Sequence, residues 1–244
     1  MSELERQSQF EKALSGLRSL VLSGEFEANT RLPETALAER LGISRTPLRQ
    51  AMDRLIAEGL LERLEAGGCR VASFSVTDVI DSIELRGVLE GTAARLAAER
   101  GAAPDVLAEM HEVLALLDQA AWGETQVDFE TYVQQNARFH TLLARAAGSS
   151  VIEREVERVV RLPLASPSAF LQGQEFLADF QASLRRAQHQ HRQLVDAIEH
   201  REGSRAEALA REHARLAREN LEFVMRGDPR LAERVPGLAL VTAA

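Results

Sequence analysis

The segment from Gly42 to Glu62, GISRTPLRQAMDRLIAEGLLE, restricts the fold of this chain more than any other part of the sequence. Its apolar residues recur at spacings of three and four, which is typical of a helix with one buried face. Arg45 and Arg49 are one helical turn apart on the opposite face, so their side chains project together. Two structures fit this pattern: an ordinary amphipathic surface helix, and a helix that lies in a groove of DNA.

The preceding residues favour the second structure. A first helix is predicted over residues 9–23, and a short second helix over 34–41 begins at Pro33 and ends at Gly42. Ser44 is the expected N-cap of the third helix, which continues to about residue 58. Its predicted buried face consists of Leu48, Ala51, Met52 and Leu55.

The following residues complete the pattern. Between residues 60 and 74, two short extended runs flank Gly67 and Gly68, whose permissive backbone suits a hairpin turn. Three helices followed by a hairpin are typical of a winged helix-turn-helix. We therefore predict such a domain over residues 1–74.

Charge is distributed unevenly along the chain. The net charge of −8 argues against nucleic-acid binding when taken alone, because phosphates attract basic surfaces. However, residues 75–244 carry a net charge of −7, whereas residues 1–74 carry only −1. Residues 44–54 contain three arginines and one aspartate. Such a local basic patch on an acidic protein is compatible with DNA binding.

The stretch RLPETALAERLGISRTPLRQAMDRLIAEGLLER, which begins at Arg31, resembles the DNA-binding domain of the GntR family of bacterial transcription regulators. The resemblance covers residues 10–74. It implies that the hairpin tip at Gly67 and Gly68 approaches the minor groove of the operator. It also implies six further operator contacts, by Arg31, Ser44, Arg45, Thr46, Pro47 and Arg49.

From about residue 77 onward the pattern is helical throughout. Thr77 is the expected cap of the first of about six helices, and Ser204 is the expected cap of the last. The helices are predicted over residues 77–101, from 104 through 117, and over 126–147, 151–162, 174–201 and 204–226. Residues 227–244 have no clear period and are expected to form a loosely held tail. The predicted fold is mainly α, with an antiparallel all-α bundle at 75–226 after the winged domain.

The cellular compartment is indicated by cysteine usage and hydropathy. The single cysteine, Cys69, excludes an internal disulfide framework and fits a reducing cytosol. No apolar run approaches the roughly 18 residues that a membrane span needs. The charged N-terminus does not resemble a signal peptide. We therefore expect a cytoplasmic protein with no membrane partner.

Three histidines of the second part lie on apolar helix faces. His140 shares its face with Leu143, and His191 and His213 have comparable apolar neighbours. Imidazole is the commonest protein ligand of zinc, nickel and similar ions, and bundle cores often hold such sites. A single histidine of this kind is typical of an ordinary core residue, whereas three together favour a divalent metal site. The remaining histidines are expected at the surface: His111, His189 and His200.

A second resemblance covers residues 77–226. The stretches ELRGVLEGTAARLAAER from Glu84, NARFHTLLARAAG from Asn136 and HRQLVDAIEHREGSRAEALAREH from His191 resemble the helical FCD effector domain of the FadR-like branch, in its short, VanR-type form. The resemblance implies a metal, zinc or nickel, held by Asp or Asn and three histidines. In this chain these residues are Asn136, His140, His191 and His213. The neutral amide of Asn136 makes a weaker ligand than a carboxylate.

Arg86 lies on or near the inner face of the first helix of this part, and a buried arginine needs an anion. One interpretation is an internal salt bridge with Glu90 or another acid. The other is that Arg86 binds the carboxylate of an effector while Asn220 adds a hydrogen bond. The effector would then be a small organic acid, with an aromatic carboxylate among the candidates. The segment RLPLASPSAF, residues 161–170, is a candidate rim of this pocket.

These features predict a ligand-responsive transcription regulator, a repressor rather than an activator, and not an enzyme. One recognition helix reads little sequence, so a homodimer on palindromic double-stranded DNA is expected. Effector binding would shift the population away from the operator-competent arrangement. Two alternatives remain open: a regulator for which the metal ion is the signal, and a metal-dependent hydrolase in the bundle, with Glu90 as its only candidate general base.

Overall fold

The computed structural model describes residues 3–122, 127–162, 164–169, 178–226, 235 and 237–242. The chain divides into two compact units, one of residues 1–79 with 236–244 and the other of residues 80–235. The predicted boundary lay at residue 74, whereas the first unit of the structure continues to residue 79.

The first unit contains a helix-turn-helix. Its helices are α1 (Glu3–Leu22), α2 (Glu34–Leu41) and α3 (Arg45–Ala57). Gly42 ends α2 with a φ of 62°, and its N–H donates to the carbonyl oxygen of Glu39 at 3.1 Å. Ser44 occupies the N-cap position of α3 as predicted, but its side chain makes no capping hydrogen bond. The predicted inner face of α3 is buried in the core: Leu48, Ala51, Met52 and Leu55.

A two-stranded wing follows the helices. Strands β1 (Leu61–Arg63) and β2 (Cys69–Val71) are antiparallel, with Leu61 opposite Val71. Gly67 and Gly68 form the tip with φ values of 85° and 81°, which a residue with a Cβ rarely adopts. The predicted hairpin is therefore present at the predicted turn.

The C-terminal residues belong to this first unit. Strand β4 (Val241–Thr242) pairs in parallel with β3 (Phe74–Ser75). The N–H of Gly237 donates to the carbonyl oxygen of Leu22 at 2.6 Å, and Leu240 is fully buried in the core. Residues 237–242 thus differ from the predicted loosely held tail. The apolar side chain of Leu240 and the free edge of β3 provide the burial and hydrogen bonding that fix this segment.

In the described ranges, six helices form the mainly α second part, as predicted. They are α4 (Val76–Arg100), α5 (Pro104–Ala121), α6 (Phe129–Ala146), α7 (Ser150–Val159), α8 (Ala178–Glu199) and α9 (Gly203–Arg226). Helix α5 packs against α6 and α8, α8 packs against α9, and α6 packs against α7. None of the helices in the described ranges combines the length and the hydropathy that a membrane span requires.

Two predicted helix caps are incorrect. Helix α4 is capped by Ser75 rather than Thr77: the Ser75 side chain accepts from the Asp78 N–H at 3.1 Å, and the Asp78 carboxylate accepts from the Ser75 N–H at 2.7 Å. This reciprocal pair satisfies two N–H groups, whereas a lone threonine would satisfy one. Helix α9 begins at Gly203, one residue before the predicted cap Ser204.

Candidate metal and effector site and the DNA-facing surface

Three histidines from three helices converge in the interior of the helical unit. His140 lies on α6, His191 on α8 and His213 on α9, and all three are buried. The Nε2 atom of His213 is 3.0 Å from that of His191 and 3.4 Å from that of His140. One nitrogen of each ring therefore points at a common centre, as the helical spacing predicted.

The second nitrogen of each ring faces an oxygen atom. The Nδ1 atom of His140 lies 2.8 Å from a carboxylate oxygen of Glu90. The Nδ1 atom of His191 lies 3.0 Å from Gln188 Oε1, and the Nδ1 atom of His213 lies 3.1 Å from Gln190 Oε1. Because these oxygens accept hydrogen bonds, each Nδ1 carries a hydrogen. Three outer partners thus keep a hydrogen on the Nδ1 atom of each ring, as is usual for histidines that bind a metal.

The charge state of two of these rings follows from their burial. Burial lowers the pKa of His191 well below its usual value, and the charges of His213 and His140 lower it further. Burial, followed by the charge of His140, lowers the pKa of His213 to about 3. Both rings are neutral at pH 7, so their facing Nε2 atoms carry lone pairs and no hydrogen. Two such atoms 3.0 Å apart repel each other unless a cation lies between them.

The residues present fit a divalent metal. Metal–nitrogen bonds of about 2.0–2.1 Å at tetrahedral or right angles place two ligand nitrogens roughly 2.9–3.4 Å apart. The two Nε2 separations, 3.0 and 3.4 Å, lie within this range. Imidazole is a favoured ligand of zinc and nickel.

Arg86 and Glu90 form a buried charged pair beside the cluster. Arg86 is 2% exposed and Glu90 is 1% exposed, and Arg86 Nε lies 3.9 Å from Glu90 Oε2. Among the described residues, Arg86 Nε, Arg86 Nη1 and Glu90 Oε2 have no hydrogen-bond partner. Burial would raise the pKa of Glu90, but the charges of His140 and Arg86 outweigh it and lower the pKa to about 2. Glu90 is therefore ionised and engaged with His140, while part of the Arg86 guanidinium has no acceptor in the part of the chain that the structure describes.

A polar cavity of about 30 Å³ adjoins the cluster, which is room for about two water molecules. Five predicted site residues line it: Arg86, Asn136, His140, His213 and Asn220. Asn136 Nδ2 donates to Ser168 Oγ at 3.1 Å, and Asn220 Oδ1 accepts from Ser183 Oγ at 3.2 Å. The sixth predicted residue, His191, is not among the residues that line the cavity, and its Nε2 meets the cluster at His213.

A second, more apolar cavity lies next to the first. It has a volume of about 150 Å³ and is lined largely by α6 and α7 residues such as Ala144 and Val156. His140 and Pro167 line both cavities. Pro167 belongs to the predicted rim segment, in which Pro163 and Phe170 lie outside the described residues.

Sequence reasoning missed Gln188 and Gln190, which orient two of the histidines. A signal was available for Gln188, because it precedes His191 by three residues and so shares its apolar face. The three histidines predicted at the surface are exposed: His111, His189 and His200.

In the first unit, most residues proposed to contact DNA are exposed. Arg45 and Arg49 project from α3, and Ser44 and Thr46 are exposed at its N-terminus. Arg49 Nε donates to the carboxylate of Glu34 at 2.8 Å, and Arg45 Nη2 approaches Thr35 Oγ1 at 3.5 Å. Pro47 differs from the expectation, because it is buried and its side chain is not available at the surface. Its position in the first turn of α3 indicates a role in starting the helix.

Arg31 is also exposed and lies at the wing. Its Nη2 donates to the carbonyl oxygen of Gly67 at 3.0 Å. Its guanidinium therefore lies at the tip of the hairpin, next to the two glycines predicted to approach the minor groove.

The first unit is a helix-turn-helix with exposed arginines, and the second is a helical domain with a buried polar cavity. This combination is typical of DNA-binding regulators. The chain belongs to the GntR family of bacterial regulatory proteins. The family's DNA-binding domain matches residues 11–71, and the FCD domain matches residues 81–216.

Curated relatives and solved structures agree with this assignment. The transcriptional repressor GlaR of Escherichia coli K12 is 28% identical over 200 residues, covering 81% of this chain and 88% of the relative. The Glc operon transcriptional activator of the same strain is 25% identical over 238 residues, covering 90% and 91%. The structure of E. coli McbR/YncC has a similar fold, with a TM-score of 0.62 and 22% identity over 88% of this chain and 95% of that one. The prediction of a transcription regulator rather than an enzyme is confirmed, and the hydrolase alternative is not supported.

Proposed function

We propose that this protein represses transcription and is released from its operator when a small organic acid binds beside a metal ion in the helical domain. The observation that carries the proposal is the convergence of three Nε2 atoms next to a polar cavity that is lined by the buried, positively charged Arg86. His140, His191 and His213 would hold the metal, with the amide oxygen of Asn136 as a further ligand. The metal, when bound, supplies a site for an oxygen atom of the acid.

The residues around the cavity divide the recognition of the acid between them. Arg86 would bind the carboxylate, because it lines the polar cavity and part of its guanidinium has no acceptor among the described residues. Asn220 would donate from its Nδ2, since its Oδ1 already accepts from Ser183. Tyr132 also lines the cavity, and its hydroxyl donates to the carbonyl oxygen of Leu184 at 3.2 Å, so its ring is held in place.

The volumes of the two cavities indicate the size of the acid. The polar cavity of about 30 Å³ accommodates a carboxylate and little more. The adjoining apolar cavity of about 150 Å³ is comparable to one that binds benzene in another protein. An acid with a ring-sized apolar part would place that part beyond His140 and Pro167. This arrangement favours an aromatic carboxylate over a dicarboxylate, because Glu153 and Glu157 line the apolar cavity and would repel a second anion.

Operator recognition is assigned to α3 and the wing. Arg45 and Arg49 would contact base edges or phosphates in the major groove, with Ser44 and Thr46 at the helix N-terminus binding a phosphate. Arg31 and the wing tip would contact the minor groove. Because one such domain reads little sequence, we propose that a homodimer binds a palindromic operator.

A test combines metal binding with operator release. Metal-free protein is titrated with Zn²⁺ or Ni²⁺ in a calorimeter, and its thermal stability is then measured with acetate, lactate and benzoate. We expect one metal ion per chain, and a stabilisation by an acid that depends on the metal. His213→Ala should lose both effects, whereas the exposed His200→Ala should keep them. An operator complex that survives saturating metal and every acid that stabilises the protein would contradict the proposal.

The metal-sensing alternative is favoured by one observation, namely that the polar cavity of about 30 Å³ is small. In that case the ion alone would release the operator. Adding Zn²⁺ to the operator complex without any acid distinguishes the two functions.

A further inference from the structure

Gln188 makes an unusual set of contacts for a glutamine in the interior of a helical domain. It is fully buried on α8. Its Nε2 donates to Asp118 Oδ1 at 2.6 Å and to the carbonyl oxygen of Leu114 at 3.2 Å, both on α5. Its Oε1 lies 3.0 Å from His191 Nδ1. Every polar atom of this side chain is therefore engaged.

These contacts fix which way the amide of Gln188 faces. Asp118 Oδ1 and the Leu114 carbonyl accept hydrogen bonds only, so the NH₂ group must point toward α5. The carbonyl oxygen of Gln188 must then point toward His191. It holds the hydrogen of that ring on Nδ1 and leaves Nε2 free for a metal.

Asp118 is held in turn from the surface. Its second oxygen, Oδ2, accepts from Arg192 Nη2 at 2.6 Å and from Arg192 Nε at 3.2 Å. The guanidinium of Arg192 lies 5.2 Å from the ring centre of Trp122, which is within the range of a cation–π contact. A chain of contacts therefore runs from exposed Trp122 and Arg192 through Asp118 and Gln188 to His191.

We propose that Gln188 and Asp118 are positioning residues that preset the tautomer of His191 and thereby raise the metal affinity of the three-histidine cluster. This inference rests on the proposed metal site. Gln188 acts directly on the ring. Asp118 acts through Gln188, and its effect is smaller because the Leu114 carbonyl also accepts from the same NH₂ group.

The comparison uses three variants and a matched control. Gln188→Leu removes the acceptor that faces His191. Asp118→Ala removes one acceptor of the Gln188 amide, and Asp118→Asn keeps an oxygen in its place. Glu109→Ala is the control: Glu109 lies on the same helix as Asp118, each side chain is 30% exposed, and each pairs with arginine. Glu109 pairs with Arg138 and Arg145, whereas Asp118 also accepts from Gln188, which contacts His191, so only Asp118 should affect the metal.

Two measurements are made on each full-length variant. The first is the tautomer of His191 in metal-free protein, from the ¹⁵N shifts of its ring. The second is the Zn²⁺ affinity by competition with a chelator. We expect wild-type His191 to carry its hydrogen on Nδ1, and Gln188→Leu to move it to Nε2 and weaken Zn²⁺ binding about 10- to 100-fold. Asp118→Ala should weaken binding by a smaller factor, Asp118→Asn should restore most of it, and Glu109→Ala should match wild type.

The outcomes separate this inference from the metal proposal. Wild-type protein that takes up no Zn²⁺ refutes the metal site, whereas the tautomer measurement still tests the role of Gln188. An unchanged tautomer in Gln188→Leu, or equal Zn²⁺ affinity in Asp118→Ala and wild type, overturns the positioning role. If Gln188→Leu does not fold, the Asp118 variants decide, since they change a partly exposed side chain.

Discussion

Replacing Arg86 by methionine distinguishes a ligand-binding arginine from a structural one. Two of its nitrogens, Nε and Nη1, are buried and have no hydrogen-bond partner within the described ranges. Each such group costs about 1–3 kcal/mol, so the two together cost roughly 2–6 kcal/mol. Removing Arg86 relieves this cost. It also removes a charge that lies 3.9 Å from Glu90, and breaking a buried ion pair typically costs about 3–5 kcal/mol.

The two contributions oppose each other and are similar in size. Glu90 also keeps its hydrogen bond to His140 at 2.8 Å, so its charge is not left without a partner. We therefore expect Arg86→Met to change the free energy of unfolding by less than about 3 kcal/mol in either direction. The response to acid should change much more. A ligand at one hundred times its Kd stabilises the wild type by about 2.7 kcal/mol, and this gain should disappear in the variant.

The assay is urea denaturation of metal-loaded protein with and without the acid that stabilises the wild type most. Arg95→Met is the control, because Arg95 lies on the same helix and pairs with Glu99 and Glu207 at the surface. It should keep the full response. The ligand assignment is contradicted if Arg86→Met loses about 3–5 kcal/mol of unfolding free energy, as expected for a broken buried ion pair, while the acid still stabilises the variant as much as the wild type. Arg86 would then be a structural partner of Glu90, and the ligand assignment would be wrong.

Three further predictions concern other parts of the molecule. Arg49→Ala should abolish specific operator binding and reduce the salt dependence of the remaining binding by about one phosphate contact per domain. Binding is measured by fluorescence anisotropy, with Arg54→Ala as the control. Unchanged operator affinity would refute the assignment of α3. Leu240→Ala should lower the stability of the first unit by about 2–5 kcal/mol in chemical denaturation, because Leu240 is fully buried, whereas a loosely held tail would show no effect. In metal-free protein, the free energy of unfolding should fall as the pH is lowered from about 6.5 toward 3, by up to about 1.4 kcal/mol per pH unit for His213. The reason is that the pKa of His213 is about 3 in the folded protein, below its value in the unfolded chain, so the unfolded chain binds the proton first. His213→Phe should flatten this slope.

The elements that depend on local sequence were predictable. Helix α2 was predicted at its observed bounds, because Pro33 and Gly42 mark its two ends. The inner face of α3 followed from the spacing of Leu48, Ala51, Met52 and Leu55, all of which are buried. The tail was not predictable in this way. Strand β4 is two residues long and pairs with β3, which lies more than 160 residues earlier, so no local period reveals it.

The candidate site shows the same division between local and distant information. His140, His191 and His213 were predicted to converge because each shares a helix face with apolar residues, and this property can be read from a short window of sequence. The contact between Gln188 and Asp118 joins residues 70 positions apart, and it depends on how α5 packs against α8. The candidate ligands of this bundle site are therefore apparent from periodicity, whereas the residues that contact their second ring nitrogens become apparent only when the helices are packed together. Since such outer partners commonly change metal affinity about 10- to 100-fold, the proposed ligand set alone would not determine how tightly the site binds a metal.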